Sequence, residues 1–108
     1  MLVPDVVTRL APLTTLRLGG PAGKVVAAAS ADIVVDAVRA ADAAGEPLLL
    51  LGGGSNVVIA DEGWPGTVVR VTSAGRVVER QSDGSVLLTV EAGEDWDDVV
   101  AACVADGL

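Results

Sequence analysis

The sequence of 108 residues lacks histidine, tyrosine and phenylalanine and contains a single cysteine. Without histidine, neither a Ser-His-Asp triad nor a Cys-His pair can form within the chain. One cysteine, Cys103, excludes a disulfide framework, and the missing histidine also excludes a structural zinc site. These absences remove the commonest hydrolytic and zinc-dependent chemistries.

Long apolar runs and basic residues are also scarce. The run Leu48–Leu51 is far too short to cross a bilayer. Residues 1–10 contain Asp5 and Arg9 where a signal peptide would have a continuous apolar segment. With 15 acidic and 7 basic side chains, the net charge of −8 repels nucleic-acid phosphates. We expect a cytoplasmic protein that binds neither membranes nor nucleic acid.

Apolar residues make up 51% of the chain, and their pattern alternates between strand and helix. Residues 24–29 and 48–51 are short apolar runs typical of buried strands. Between them, residues 31–44 have helical apolar spacing, with Ser30 as the predicted N-cap and Gly45 as the terminating glycine. This pattern predicts a βαβ unit whose second strand is buried on both faces.

The second half of the chain is richer in strand and turn signals. We predict strands at 57–60, 67–72, 77–80 and 86–90, a turn at 61–66, a hairpin from the last two strands, and a helix at 94–105 ended by Gly107. That helix has an apolar stripe of Trp96, Val99, Val100 and Cys103. The predicted fold is α/β (α+β): a βαβ unit, then a small mixed sheet and a helix. Because Leu108 follows the helix directly, we expect the chain to be truncated within a larger domain.

The pentapeptide Gly-Gly-Gly-Ser-Asn at residues 52–56 carries the main chemical signal. Successive amides in a glycine-rich turn form a concave nest for an anion, and Ser55 and Asn56 add polar donors. The motif lacks the lysine of a Walker loop, and Val57 replaces the third glycine of the dinucleotide fingerprint. The residues alone leave two alternatives open: a diphosphate site between two strands, and a glycine-rich turn that binds nothing.

Other candidate functional residues have simpler structural explanations. Five acidic residues near the last helix are predicted to complement its dipole rather than bind a metal: Glu91, Glu94, Asp95, Asp97 and Asp98. Cys103 is predicted to be a packing thiol. We therefore predict no metal site.

Six further residues are candidate ligand contacts. Trp64 is predicted to anchor a loop over the strand ends rather than to stack on a ligand. Arg17, Gly19 and Gly20 are predicted to form a turn into the first strand rather than a ligand wall. Lys24 and Arg70 are the candidate cations for a diphosphate.

Three segments together resemble the UDP-N-acetylenolpyruvoylglucosamine reductase family: LRLGGPA at 16–22, LLLLGGGSNVVIADEGWPGTVVRV at 48–71, and VEAGEDWDDVVAACVADGL at 90–108. The resemblance covers residues 14–108, and the pairing of LGGGSN with DEGxxGTVV is its most specific part. It implies that residues 1–108 are the N-terminal part of an FAD-binding domain of the vanillyl-alcohol-oxidase type. The first lobe would lie at about 14–72 and the start of the second at about 76–108, with the substrate domain absent.

The resemblance also implies a site and an activity. In that family the Gly-Gly-Ser-Asn loop wraps the FAD diphosphate, which implies cofactor-binding roles for Gly52, Gly53, Gly54, Ser55, Asn56 and Val57. The family uses NADPH to convert UDP-N-acetylenolpyruvoylglucosamine into UDP-N-acetylmuramate for peptidoglycan synthesis, and hence for cell-wall biogenesis, cell shape and cell division. We expect a monomeric oxidoreductase with this UDP-sugar as its substrate.

The catalytic residues implied by the resemblance lie outside this chain. The family's serine proton donor and its assisting arginine and glutamate belong to later segments, and no residue here matches those motifs. We therefore predict no catalytic residue within residues 1–108 and no activity of this chain alone. Two alternatives stay open: another FAD-dependent oxidase or dehydrogenase of the same superfamily, and a non-catalytic α/β module.

Overall fold

A computed structural model describes residues 8–108. Residues 1–7, part of the segment considered above for a signal peptide, lie outside the described residues. The elements in chain order are a 3₁₀ helix Ala11–Leu13, β1 Ala22–Ala28, α1 Ala31–Ala44, β2 Leu48–Leu51, β3 Trp64–Val71, β4 Arg76–Arg80, β5 Val86–Val90 and α2 Trp96–Ala105. Strands β1, β3 and β2, in that spatial order, form a parallel sheet, and β4 pairs with β5 in a separate antiparallel sheet. Among residues 8–108, no helix combines the length and apolar character that crossing a membrane requires.

Helix α1 begins and ends where the sequence predicts. The Ser30 Oγ accepts a hydrogen bond from the Ile33 amide at 3.4 Å, which satisfies one of the free donors of the first turn. Gly45 has φ 64° and donates its amide to the carbonyls of Ala41 and Asp42, the arrangement in which a glycine ends a helix. The predicted boundaries of this helix are confirmed.

Removing the N-cap of α1 is expected to lower stability modestly. A Ser30→Ala substitution leaves the Ile33 amide without its side-chain acceptor and should cost about 1 kcal/mol of unfolding free energy. Urea denaturation followed by circular dichroism measures this loss. Ser82→Ala, in the exposed turn between β4 and β5, is the control and should change the free energy by less than about 0.5 kcal/mol; equal effects at the two serines would contradict the capping role.

Strand β3 lies between β1 and β2, so the two strands joined by α1 are not adjacent. In register, Val69 pairs with Val26 on one side and with Leu50 on the other. Helix α1 packs against β1 and β3, and Leu50, on the edge strand β2, remains 56% exposed. The expectation that residues 48–51 are buried on both faces is therefore wrong, because the helix does not extend over the edge of the sheet.

The main core lies on one face of the parallel sheet. Leu51 and Val68 from the strands pack there with Leu10 from the N-terminal segment and Ile59 from the loop after β2. Residues 57–60, predicted to be a strand, belong to no sheet; the Ala60 carbonyl instead accepts the Gly20 amide at 2.9 Å. That strand prediction is wrong, since β-branched residues here supply core contacts rather than a paired edge.

Strands β4 and β5 form the predicted hairpin. In its turn, the Asp83 carboxylate accepts hydrogen bonds from the Ser85 hydroxyl at 2.6 Å and the Ser85 amide at 2.9 Å. These two hydrogen bonds, the hydroxyl first, lower the pKa of Asp83. The predicted small mixed sheet is wrong, because β3 joins the parallel sheet and leaves the hairpin as a two-stranded antiparallel sheet.

Helix α2 confirms part of the predicted amphipathic stripe. Val99 is buried and Cys103 half-buried, and both line a cavity of about 210 Å³ with Val78 and Leu88 of the hairpin. Trp96, however, is 71% exposed, and Val100 is also exposed. The stripe is therefore narrower than predicted, because only part of the helix faces the hairpin.

Candidate functional site

Residues 52–56, called the glycine loop from here on, follow the carboxyl end of β2. The three strands of this sheet are parallel, so their carboxyl ends share one edge. In open α/β sheets, ligands bind beyond this edge. The loop therefore starts from the side of the sheet where a ligand site is expected.

The glycine loop is fixed to the rest of the chain at three places. Leu51, before it, is buried in the core, and Ile59, after it, is buried in the same cluster. Between them, the Gly54 carbonyl accepts a hydrogen bond from the Thr15 amide at 2.9 Å. Gly54 is itself buried and has φ 74°, a left-handed conformation that glycine adopts without strain.

The amide groups of the loop are available to a ligand. Within residues 8–108, the backbone amides of residues 52–57 donate to no backbone carbonyl or side chain. Ser55 and Asn56 are exposed and make no side-chain hydrogen bond to the described part of the chain. Since backbone amides are strong donors, this group of unpaired N–H groups is suited to an anion.

The fold requires glycine at one of the three glycine positions of the loop and not at the other two. A Cβ atom on Gly54 would collide with the Leu13 carbonyl oxygen and lie 2.8 Å from the Thr14 Cα, so the fold itself requires glycine there. A Cβ atom on Gly52 or Gly53 would meet no atom of the described residues within 4 Å, and neither residue has a left-handed φ. The fold does not require glycine at these two positions, and the open space above them is available to a ligand.

Two cavities border the loop. A cavity of about 220 Å³ is formed by residues 50–57 themselves. A larger cleft of about 540 Å³ lies between the loop and the start of α2; we call it the Trp96 cleft, and it is lined by Thr15, Gly53, Ser55, Glu94, Asp95, Trp96 and Asp97. Its volume falls in the range of about 300–1,000 Å³ that is usual for ligand pockets.

The two candidate cations lie at different edges of the sheet. Arg70 is exposed and pairs in register with Leu51, directly before the loop. Lys24 pairs with Thr67, which is itself paired with Leu48 at the start of β2. Of the two, only Arg70 is therefore at the carboxyl edge.

Residues 22–108 match a family model described as "FAD binding domain". The chain belongs to this family. The matched segment includes the glycine loop, and the family supports FAD as the ligand.

Three curated relatives illustrate the similarity of this FAD binding domain to longer proteins. The chain is 60% identical over 99 residues to a UDP-N-acetylenolpyruvoylglucosamine reductase of Saccharopolyspora erythraea, covering 92% of this chain and 27% of the relative. It is 50% identical over 99 residues to one of Thermobifida fusca (92% and 28%) and 55% identical over 104 residues to one of Salinispora arenicola (95% and 28%). The chain thus spans about a quarter of the length of these relatives.

The remaining candidates have structural roles in the described part of the domain. Trp64 begins β3, at the amino edge of the sheet, and its indole N–H donates to the Pro47 carbonyl at 3.4 Å. It is an anchor at the edge opposite the glycine loop. The Arg17 guanidinium donates to the Pro12 carbonyl at 3.3 Å, and the Gly20 amide donates to the Ala60 carbonyl. The turn itself lies at Thr15 and Leu16, just before the predicted residues, which form an irregular connection to β1.

Two acidic residues near α2 stabilise the chain itself. The Asp95 carboxylate caps the helix by accepting the Asp98 amide at 3.1 Å, and the Glu94 carboxylate accepts the Gly75 amide at 2.9 Å. Among residues 8–108, no three His, Cys, Asp or Glu side chains are placed to hold a metal ion. Sequence reasoning did not find Thr15 or the cleft position of Trp96, because both depend on contacts between distant segments.

Proposed function

We propose that the glycine loop binds the diphosphate of FAD through the backbone amides of residues 52–57. The observation that carries this proposal is that these amides are unpaired within residues 8–108, at the carboxyl edge of a parallel sheet. A doubly charged diphosphate accepts several such hydrogen bonds at once, and charge-assisted bonds are stronger than neutral ones. Ser55 and Asn56 add side-chain donors beside them.

The acidic net charge of −8 is compatible with this ligand. Backbone dipoles act at short range and need no cationic side chain, whereas the repulsion by distant carboxylates is screened over about 10 Å at 0.1 M salt. Arg70, at the same edge as the loop, supplies one nearby positive charge. An anion can therefore bind here although the chain as a whole is acidic.

We further propose that the protein carrying this chain is an NADPH-dependent reductase of UDP-N-acetylenolpyruvoylglucosamine. This is supported by the reductase activity for which the relatives are named and by their 50–60% identity over most of this chain. In this proposal residues 14–72 and 76–108 belong to two lobes of a vanillyl-alcohol-oxidase-type domain, which acts as a monomer. FAD, when bound, supplies hydride-transfer chemistry; this chain's part is to hold and orient it.

The intact protein that carries this chain should purify with about one FAD per molecule. Its visible absorption spectrum, and the nucleotide released on denaturation, measure this content. The holoprotein should oxidise NADPH when the enolpyruvyl UDP-sugar is added and yield UDP-N-acetylmuramate, whereas residues 1–108 alone should not.

Two outcomes would contradict the proposal, one its cofactor and the other its reaction. A colourless protein that also fails to bind added FAD would remove the cofactor assignment and favour a non-catalytic module. A yellow protein that oxidises an alcohol or sugar but ignores the enolpyruvyl substrate would keep the cofactor and replace the reaction.

A further inference from the structure

Trp96 is placed unusually for a tryptophan. It is the first residue of α2, 71% exposed, and it lines the Trp96 cleft opposite Gly53 and Ser55. Tryptophan normally contributes to stability by burying a large apolar surface. In α2, however, Val99 is the buried residue that faces the hairpin, and Trp96 is not buried there. Its indole therefore supplies an aromatic wall to the same cleft that the glycine loop borders.

Hydrogen-bond donors and negative charges lie on different sides of the cleft. The loop side presents unpaired amides, whereas the α2 side carries the carboxylates of Glu94, Asp95 and Asp97. Glu94 and Asp95 are engaged with backbone amides, and Asp97 makes no side-chain hydrogen bond within residues 8–108. Carboxylates repel a diphosphate, so the phosphates belong on the loop side and uncharged parts of a ligand on the α2 side.

We propose that Trp96 stacks on a planar ring of the dinucleotide whose diphosphate the glycine loop holds, with Asp97 accepting hydrogen bonds from the adjoining sugar hydroxyls. This inference rests on the proposed function and extends it to α2. A carboxylate is an acceptor for hydroxyl donors, and an indole face is a stacking surface for an aromatic ring. The cleft, at about 540 Å³, has room for a ring beside the phosphates.

FAD contains two planar rings able to stack on an indole, adenine and isoalloxazine. ADP carries only the adenine and FMN only the isoalloxazine, so these two half-ligands distinguish the rings. The test measures dissociation constants of FAD, ADP and FMN for the intact apoprotein and for its Trp96→Ala, Trp96→Phe and Trp64→Phe variants. Trp96→Ala should weaken FAD and one of the two half-ligands by about 5- to 100-fold, the usual range for loss of one base–aromatic stack. Trp96→Phe retains a ring and should restore most of the affinity, and Trp64→Phe, at the opposite edge, should change none of the three.

The identity of the weakened half-ligand assigns the ring: ADP for adenine, FMN for isoalloxazine. For isoalloxazine, Trp96→Phe should also raise the fluorescence of the bound flavin, because the electron-rich indole that quenches it is gone. Since Trp96 is largely exposed, its variants should melt within a few degrees of the parent chain.

The outcomes separate this inference from the function on which it rests. If the parent protein binds FAD and Trp96→Ala binds FAD, ADP and FMN with unchanged constants, the stacking role is overturned and the loop assignment stands. Stacking is also overturned if the loss of ligand affinity in Trp96→Ala is fully accounted for by a smaller folded fraction of the variant. The same holds if Trp96→Phe does not restore the ligand affinity lost in Trp96→Ala. If the parent protein binds no FAD, the proposed function fails and this inference fails with it.

Discussion

Replacing Gly53 by valine is expected to lower FAD affinity at least about 100-fold, or about 2.7 kcal/mol, while leaving the fold intact. A Cβ atom at Gly53 meets no atom of residues 8–108 within 4 Å, and the residue borders both cavities beside the loop. The valine side chain would therefore occupy the space over the main chain that the diphosphate needs, without straining the protein. FAD titration of the apoprotein, followed by flavin fluorescence, measures the affinity.

The control for this substitution adds the same side chain elsewhere on the surface. Ser82→Val, in the exposed hairpin turn, should leave FAD affinity unchanged. Both variants should melt within about 3 °C of the parent protein, since neither creates a buried contact. Full FAD content in purified Gly53→Val would show that the diphosphate does not lie over this residue.

Replacing Gly54 by alanine, unlike the change at Gly53, is expected to destabilise the fold, with a loss of unfolding free energy of about 3 kcal/mol. Forcing a residue with a Cβ into the left-handed conformation, φ 74°, costs about 1–2 kcal/mol. The new methyl group would also collide with the Leu13 carbonyl, which adds overpacking strain of about 1–3 kcal/mol. Urea denaturation should show the lower free energy, and the melting temperature should fall by more than about 10 °C.

Gly52→Ala is the matched control, because the same methyl group there meets no atom of the part of the chain that the structure describes within 4 Å, and the residue lacks a left-handed φ. It should change the unfolding free energy by less than about 0.5 kcal/mol. Equal stability of the two alanine variants would mean that the loop does not pack on residues 13–15. FAD affinity should fall in Gly54→Ala as well, because relief of the clash moves the amides.

Features that depend on nearby residues could be predicted from the sequence. The ends of α1 follow from the Ser30 hydroxyl and the left-handed Gly45, each acting within one turn of the helix. The β4–β5 turn is likewise set by Asp83 and its neighbour Ser85. The glycine loop was recognised because its composition and its place after a buried strand are both local properties.

Features that depend on distant partners could not be predicted. Nothing in the local pattern shows that β3 inserts between β1 and β2, and this insertion places Leu50 at an exposed edge. The β-branched residues 57–60 suit a strand, but their position is set by the core around Leu10 and by the Gly20 amide. For the same reason, helical spacing alone could not show that Trp96 faces the cleft rather than the hairpin.

Within residues 8–108, the glycine loop packs on other segments through Gly54, between the buried Leu51 and Ile59, and this has a consequence for how the domain can change. The other loop positions are exposed, so we expect substitutions there to affect the proposed diphosphate site far more than folding. A protein engineer seeking a different nucleotide can therefore vary Gly52, Gly53, Ser55 and Asn56 with the scaffold expected to stay folded, although a side chain at Gly53 should weaken FAD binding.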